Sequence, residues 1–260
     1  MSSLSIQQLS IGYKKGPNIQ TIQKNINLEA SQGAFIALIG PNGCGKSTLI
    51  RTISGLQKPL TGKVEITSCE KSIHDMDPKI RAKHISLVLT DSIQLEYATV
   101  VQIVSMGRHP YTSYAGKLSH KDKTEVEKAI AAVQLQAFQK RLFSEMSDGE
   151  RQRVLIARAL AQDTPFMFLD EPTSFLDLPN RIETMMLLKK LASEWRKCLI
   201  VSTHEIDLAI RLADVLWLME PKQGIQAGSP KEMTASKSLE RAFQGNSFKF
   251  DAETGNVIIF

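Results

Sequence analysis

The chain has 260 residues, 42% of them hydrophobic and 23% charged, with a formal net charge of +5. That balance suits a folded globular chain of one large domain or two small ones and excludes a disordered one. The longest apolar runs, Phe35 to Ile39 and Val215 to Met219, are too short to span a bilayer, and the lysines and arginines are scattered without the blocks that mark a nucleic-acid tract.

At the start, Met1-Ser2-Ser3-Leu4-Ser5 lacks a basic region followed by an apolar core, so no secretory leader is expected. Cys44, Cys69 and Cys198 have no metal-type spacing, and a reducing cytosol is the expected home. Leu4 to Tyr13 has irregular strand character. Phe35 to Ile39 is an apolar run of strand length ended by Gly40-Pro41-Asn42-Gly43, and Ser47 to Ser54 places Leu49, Ile50 and Ile53 at helical spacing before Gly55. A strand is expected over Ile85 to Leu89. Thr99 to Met106 and Asp122 to Phe138 read as helices, the second with a capping pair Ser119/Asp122 and an apolar face of Val126, Ile130 and Val133. A further helix is expected over Arg151 to Ala161. Strands return at Phe166 to Leu169, Cys198 to Ser202 and Val215 to Met219, with helical patterns at Asn180 to Trp195 and Glu205 to Ala213 between them. Such alternation predicts an α/β fold with a parallel, doubly wound sheet. Residues 91–164 read as a helical insertion, and Asn256 to Phe260 as a small edge strand.

The segment Gly40-Pro41-Asn42-Gly43-Cys44-Gly45-Lys46-Ser47-Thr48 fits the phosphate-loop pattern G-x-x-x-x-G-K-[ST] in full, between a strand and a helix. Its glycines let backbone N–H groups approach phosphate oxygens, Lys46 reaches the β- and γ-phosphates, and Ser47 offers a hydroxyl to Mg²⁺. Phe166-Met167-Phe168-Leu169-Asp170-Glu171 delivers two carboxylates at the polar end of a buried strand. Asp170 is expected on the metal. Neighbouring strand side chains point opposite ways, which turns Glu171 toward an attacking water.

With these in place, the chain resembles the nucleotide-binding domain of ABC-type ATPases over nearly its whole length. Met146-Ser147-Asp148-Gly149-Glu150 is similar to the family's signature loop, Ser174-Phe175-Leu176-Asp177 to its D-loop, and His204, in Ser202-Thr203-His204-Glu205, to its switch histidine. The resemblance implies a P-loop NTPase fold, a RecA-like core with a mainly parallel sheet over residues 1–90 and 165–260. A small antiparallel β subdomain and an α-helical signature subdomain (91–164) complete it. It implies ATP and Mg²⁺ as cofactors, catalytic roles for Lys46, Glu171 and His204, adenine stacking on Tyr13, and metal contacts from Ser47 and Asp170. Ser147 and Gly149 then act in trans on the nucleotide of a second copy, so a homodimer is expected.

Two departures from the family pattern bear on chemistry. The signature carries Asp148 and Glu150, which would repel a γ-phosphate. Their carboxylates are expected to turn toward Arg151 or Arg153. Where the family places a metal-sensing glutamine, Thr90-Asp91-Ser92-Ile93-Gln94 offers Asp91 as the metal ligand, with Gln94 as runner-up. The stretch Ser105-Met106-Gly107-Arg108-His109-Pro110-Tyr111, continuing through Ala115-Gly116-Lys117-Leu118-Ser119, is similar to one in importer ATPases for iron–siderophore, haem and cobalamin. It implies contact with integral membrane permease subunits at the cytoplasmic face, with a periplasmic or surface substrate-binding protein in the same system. Arg108 and the tyrosines are expected as interface anchors. The alternative is a soluble ABC ATPase of iron–sulfur cluster assembly.

Overall fold

The computed structural model describes all residues except 1, 70, 90–96, 114–115, 222–223, 245–247, 252–255 and 260, and only the backbone of 15, 248–250 and 256–259. Strands β1 (Ser3–Lys15), β2 (Asn18–Ser31) and β4 (Thr61–Ile66) form a three-stranded antiparallel sheet in the order β2-β1-β4. The main sheet takes β3 (Phe35–Ile39), β5 (Ile85–Val88), β6 (Phe166–Asp170), β7 (Cys198–Ser202), β8 (Val215–Glu220) and β9 (Gly224–Gly228) in the order β5-β6-β7-β3-β8-β9. All of its pairs are parallel except β8–β9. The last strands, β10 (Phe248–Asp251) and β11 (Asn256–Ile259), pair only with each other, so the tail forms a hairpin and does not extend the main sheet.

The helices are α1 (Lys46–Ile53), α2 (Pro78–Arg81), α3 (Val100–Ser105), α4 (His120–Ala132), α5 (Asp148–Ala161), α6 (Leu178–Glu194), α7 (Ile206–Leu212), α8 (Pro230–Ala235) and α9 (Ser238–Ala242). The helix expected over Asp122 to Phe138 stops at Ala132 because Gln134 turns left-handed, with φ +61°, and only a short 3₁₀ turn follows at Gln136–Phe138. Among the described residues, capping boxes fix the starts of α3, α4, α5 and α8: Thr99/Gln102, Ser119/Asp122, Ser147/Glu150 and Ser229/Glu232. Each satisfies backbone N–H groups that a helix leaves open.

The central strands are buried on both faces, and their side chains alternate between cores. Phe166 and Phe168 of β6, with Cys198 and Ile200 of β7, join α1 and the antiparallel sheet. Met167 and Leu169, with Leu199 and Val201, join the core built on α3, α4, α5 and α6. β3 and β8 send Ala37, Ile39, Leu216 and Leu218 to a third core with Met233 and Leu239 of α8 and α9. Period-2 alternation thus sets where the polar residues that follow each strand emerge.

Arg108 is not a surface anchor. It is 2% exposed, its Nε donates to Asp122 Oδ1 at 3.0 Å and its Nη1 to the Ala161 carbonyl at 2.8 Å, and its guanidinium lies 3.9 Å from the Tyr111 ring centroid. It pins the 3₁₀ turn Met106–Tyr111 to α4 and to the end of α5. Met106 and Tyr111 at the flanks of that turn are exposed.

Candidate functional site

The loop between β3 and α1 opens the site. Gly45 caps α1 with φ +109°, and a Cβ there would meet Ile22 Cγ2 at 2.5 Å, so only glycine fits between the loop and the antiparallel sheet. Lys46 is buried, and its ammonium donates to the carbonyls of Gly40 at 2.9 Å and Pro41 at 3.4 Å. An ammonium has three donors, so one N–H is left for a phosphate oxygen above the loop. Pro41, Asn42 and Gly43 complete the loop. The buried Cys44 thiol is pushed up by burial, against the opposing pull of Lys46. Tyr13 lies beside this helix start, half-exposed, with its hydroxyl 3.0 Å from Thr48 Oγ1.

The ends of β6 and β7 bring the acids. Asp170 Oδ1 accepts from Ser47 Oγ at 3.1 Å and from Ser202 Oγ at 2.6 Å. Asp170 follows the alternation of Phe166 and Phe168, which points it toward α1. Ser202 also receives the Glu171 backbone N–H at its hydroxyl, 2.9 Å away, because parallel register sets Asp170 opposite Ser202. Glu171 turns left-handed, with φ +48°, and its Oε2 accepts from Ser174 Oγ at 3.1 Å. His204 Nδ1 stands 3.8 Å from that same oxygen, and its Nε2 stands 3.7 Å from Glu205 Oε1. The structure therefore brings together Lys46, Ser47, Asp170, Glu171 and His204 at the carboxyl ends of parallel strands, where open α/β sheets place their ligands.

Ser147 caps α5. Its hydroxyl accepts from the Glu150 N–H, which leaves its own proton available to another acceptor. Asp148 turns to Arg151, 3.5 Å away, as expected from the sequence. Glu150 does not turn to Arg151 or Arg153. Its carboxylate accepts from the Ser147 N–H at 2.8 Å and lies 3.9 Å from Arg141, because the capping box claims it. Gly149 packs closely, since a Cβ there would meet Asn180 Oδ1 at 2.7 Å. Asp91 and Gln94 lie outside the described residues.

Ser202 and Ser174 escaped sequence reasoning as site residues. For Ser202 the signal was available in the register of two adjacent parallel strands ending in hydroxyl and carboxylate. Arg181 and Glu205 gave no local signal, since they meet across 24 residues.

A phosphate loop, a metal-competent Ser/Asp pair and a glutamate–histidine pair on a parallel sheet define a phosphate-loop nucleoside triphosphatase. The ABC transporter family model matches residues 23–174, and the chain belongs to that family. The chain is similar to the uncharacterized ABC transporter ATP-binding protein MJ0873 of Methanocaldococcus jannaschii, 42% identical over 88% of this chain and 77% of that protein. It is 34% identical to the iron(3+)-hydroxamate import ATP-binding protein FhuC of Bacillus subtilis, over 94% of this chain and 88% of that one. Among solved structures, the dimeric structure of MJ0796, a bacterial ABC transporter cassette, superposes with a TM-score of 0.73 at 28% identity, covering 87% of this chain and 98% of that chain.

Proposed function

We propose that the chain is the ATP-hydrolysing subunit of an importer for an iron–siderophore, haem or cobalamin cargo, acting as a homodimer on two membrane permease subunits. The observation that carries the ATPase chemistry is the convergence of Lys46, Ser47, Asp170, Glu171 and His204 on one sheet edge. The import reading rests on relatives such as FhuC, whose name places it in an iron(3+)-hydroxamate import system. An iron–sulfur assembly ATPase is not favoured by those relatives.

The backbone of the Gly40–Lys46 loop and the start of α1 hold the β- and γ-phosphates, with the spare N–H of Lys46 on the terminal group. Mg²⁺ fits the Ser47/Asp170 pair, two hard oxygen donors side by side, and when bound it neutralises charge on the phosphates. Asp91 is assigned to the same metal on sequence grounds. Glu171 orients and polarises the attacking water, and His204 steadies the γ-phosphate. Tyr13 stacks on the adenine, and Pro41, Asn42, Gly43, Cys44 and Thr48 shape the nucleotide cradle.

One chain supplies one phosphate loop and one signature. Ser147 and the Gly149 N–H of a second copy cap the γ-phosphate, with Asp148 held aside on Arg151. On this reading residues 1–90 and 165–260 form the nucleotide-binding core and 91–164 the insert that receives the permease. A groove of about 370 Å³ supports that, running between Ser54 and Arg81 of the core and Met106, Gly107 and Arg158 of the insert. No helix among the described residues is long and apolar enough to cross a membrane. By the likeness to import ATP-binding proteins such as FhuC, the chain sits at the cytoplasmic face of the membrane through its permease, with a periplasmic or surface binding protein delivering cargo.

Replacing Glu171 with Gln removes the carboxylate that activates water but keeps the nucleotide cradle. The variant is expected to retain ATP and elute as a stable dimer in size-exclusion chromatography. Elution as a monomer with saturating ATP and Mg²⁺ overturns the shared-site scheme.

A further inference from the structure

His204 stands between two carboxylates and is hydrogen-bonded to neither, at 3.8 Å from Glu171 and 3.7 Å from Glu205. Both carboxylates are anchored by other donors. The Glu205 oxygen facing His204, Oε1, is the one that accepts from Arg181 Nη1 at 2.7 Å. The Glu171 oxygen facing His204, Oε2, is the one that accepts from Ser174 Oγ. Arg181 donates a second time, from Nε to the carbonyl of Leu176 at 2.9 Å. Ser174 and Leu176 belong to one short loop, 174–177, between β6 and α6. Both oxygens nearest the imidazole are thus held in place by donors tied to that loop.

We propose that Arg181 is a positioning residue for ATP hydrolysis: it holds Glu205 off His204 and couples the station of the imidazole to loop 174–177. A charge-assisted hydrogen bond from a guanidinium engages the carboxylate more strongly than a neutral donor. With Arg181 in place, Nε2 of His204 is left for a phosphate oxygen. Without it, the Glu205 carboxylate is free to draw the ring toward α7 and away from the nucleotide. Glu205 is well placed for this, being largely buried and fixed at the start of α7 by its N–H bond to Thr203 Oγ1. When the second copy closes and displaces loop 174–177, the Leu176 carbonyl moves Arg181, and Arg181 moves Glu205.

This rests on the reading of His204 as a γ-phosphate ligand, and the test separates the two. Steady-state ATPase rates of the full chain are measured for Arg181→Ala, Glu205→Gln, the pair together, and His204→Ala. Arg181→Ala is expected to lower kcat about tenfold with KM for ATP changed less than about twofold, because the cradle is untouched. Adding Glu205→Gln is expected to restore more than half of the lost rate, since a neutral amide no longer captures the imidazole. A merely structural arginine gives no such rescue. Arg181→Lys keeps one cationic donor but not both contacts and falls between wild type and Arg181→Ala; paired with Glu205→Gln it repeats the rescue test should the alanine variant not fold. Unchanged kcat in Arg181→Ala, or a loss that Glu205→Gln leaves intact, overturns the assignment of Arg181. Full activity in His204→Ala overturns the reading of the histidine instead.

Discussion

Replacing Arg108 with Leu keeps an aliphatic side chain and removes a buried cation from an ion pair with Asp122. Removing one partner of a buried pair costs about 3–5 kcal/mol when the other charge is stranded. Here Asp122 is only partly stranded, because its Oδ2 still accepts from the Ser119 N–H at 2.9 Å and the Ser119 hydroxyl at 2.5 Å. That lowers the expected electrostatic cost to about 2–3 kcal/mol, and the orphaned Ala161 carbonyl adds about 1 kcal/mol. Urea unfolding followed by tryptophan fluorescence should therefore show a loss of about 3–4 kcal/mol. Adding Asp122→Asn, which keeps the cap but removes the charge, should recover a good part of it. The pH dependence has a fixed sign. Hydrogen bonds from Ser119 first, and then Arg108, hold the Asp122 carboxyl below the usual carboxylate range. Stability from a depressed acid is present above its unfolded pKa and lost as pH falls through the folded value. The gap between wild type and Arg108→Leu should accordingly narrow in acid below about pH 4. A loss under about 1 kcal/mol at neutral pH would refute the view that this pair holds the Met106–Tyr111 turn in place.

Tyr13→Ala should raise KM for ATP by roughly five- to a hundredfold, the range set by one lost base–aromatic stack, while Tyr13→Phe, which keeps the ring and loses the Thr48 contact, should stay near wild type. Equal defects in both would assign Tyr13 to the helix start and not to adenine. Gly149→Ala forces a methyl against the Asn180 amide, which is itself held on Asp177, and should cost about 1–3 kcal/mol in chemical unfolding. Asn180→Ala in the same chain should return most of it. The Cys198 thiol is fully buried, and its pKa is pushed up to about 12 by burial. Mass spectrometry after N-ethylmaleimide treatment of the native protein at pH 8 should find Cys69 modified and Cys198 untouched.

Strands β3, β6, β7 and β8 were legible because a sheet covered on both faces leaves continuous apolar runs such as Phe166-Met167-Phe168-Leu169. The antiparallel sheet was harder to read. β2 alternates buried and exposed residues only along its second half, and the left-handed residues Gln8 and Asn25 accompany register shifts that break the period. β9 has no fully buried residue and so no hydrophobic signal. In the candidate site, the placement of Lys46, Ser47, Asp170 and Glu171 was readable because each lies close in sequence to the end of an apolar strand. The burial of Arg108 was not, since its counter-charge lies 14 residues on and the carbonyl it satisfies lies 53 residues on. An exposed cation and a buried one look alike until the fold supplies the partner.

Phe175 is 87% exposed and held left-handed at φ +68°, and Leu178, Ile182 and Met186 continue the exposed apolar surface down one face of α6. A lone subunit therefore presents an oily strip to its surroundings. Leaving such a strip in water raises the tendency of surplus copies to self-associate, a cost that covering this face would remove.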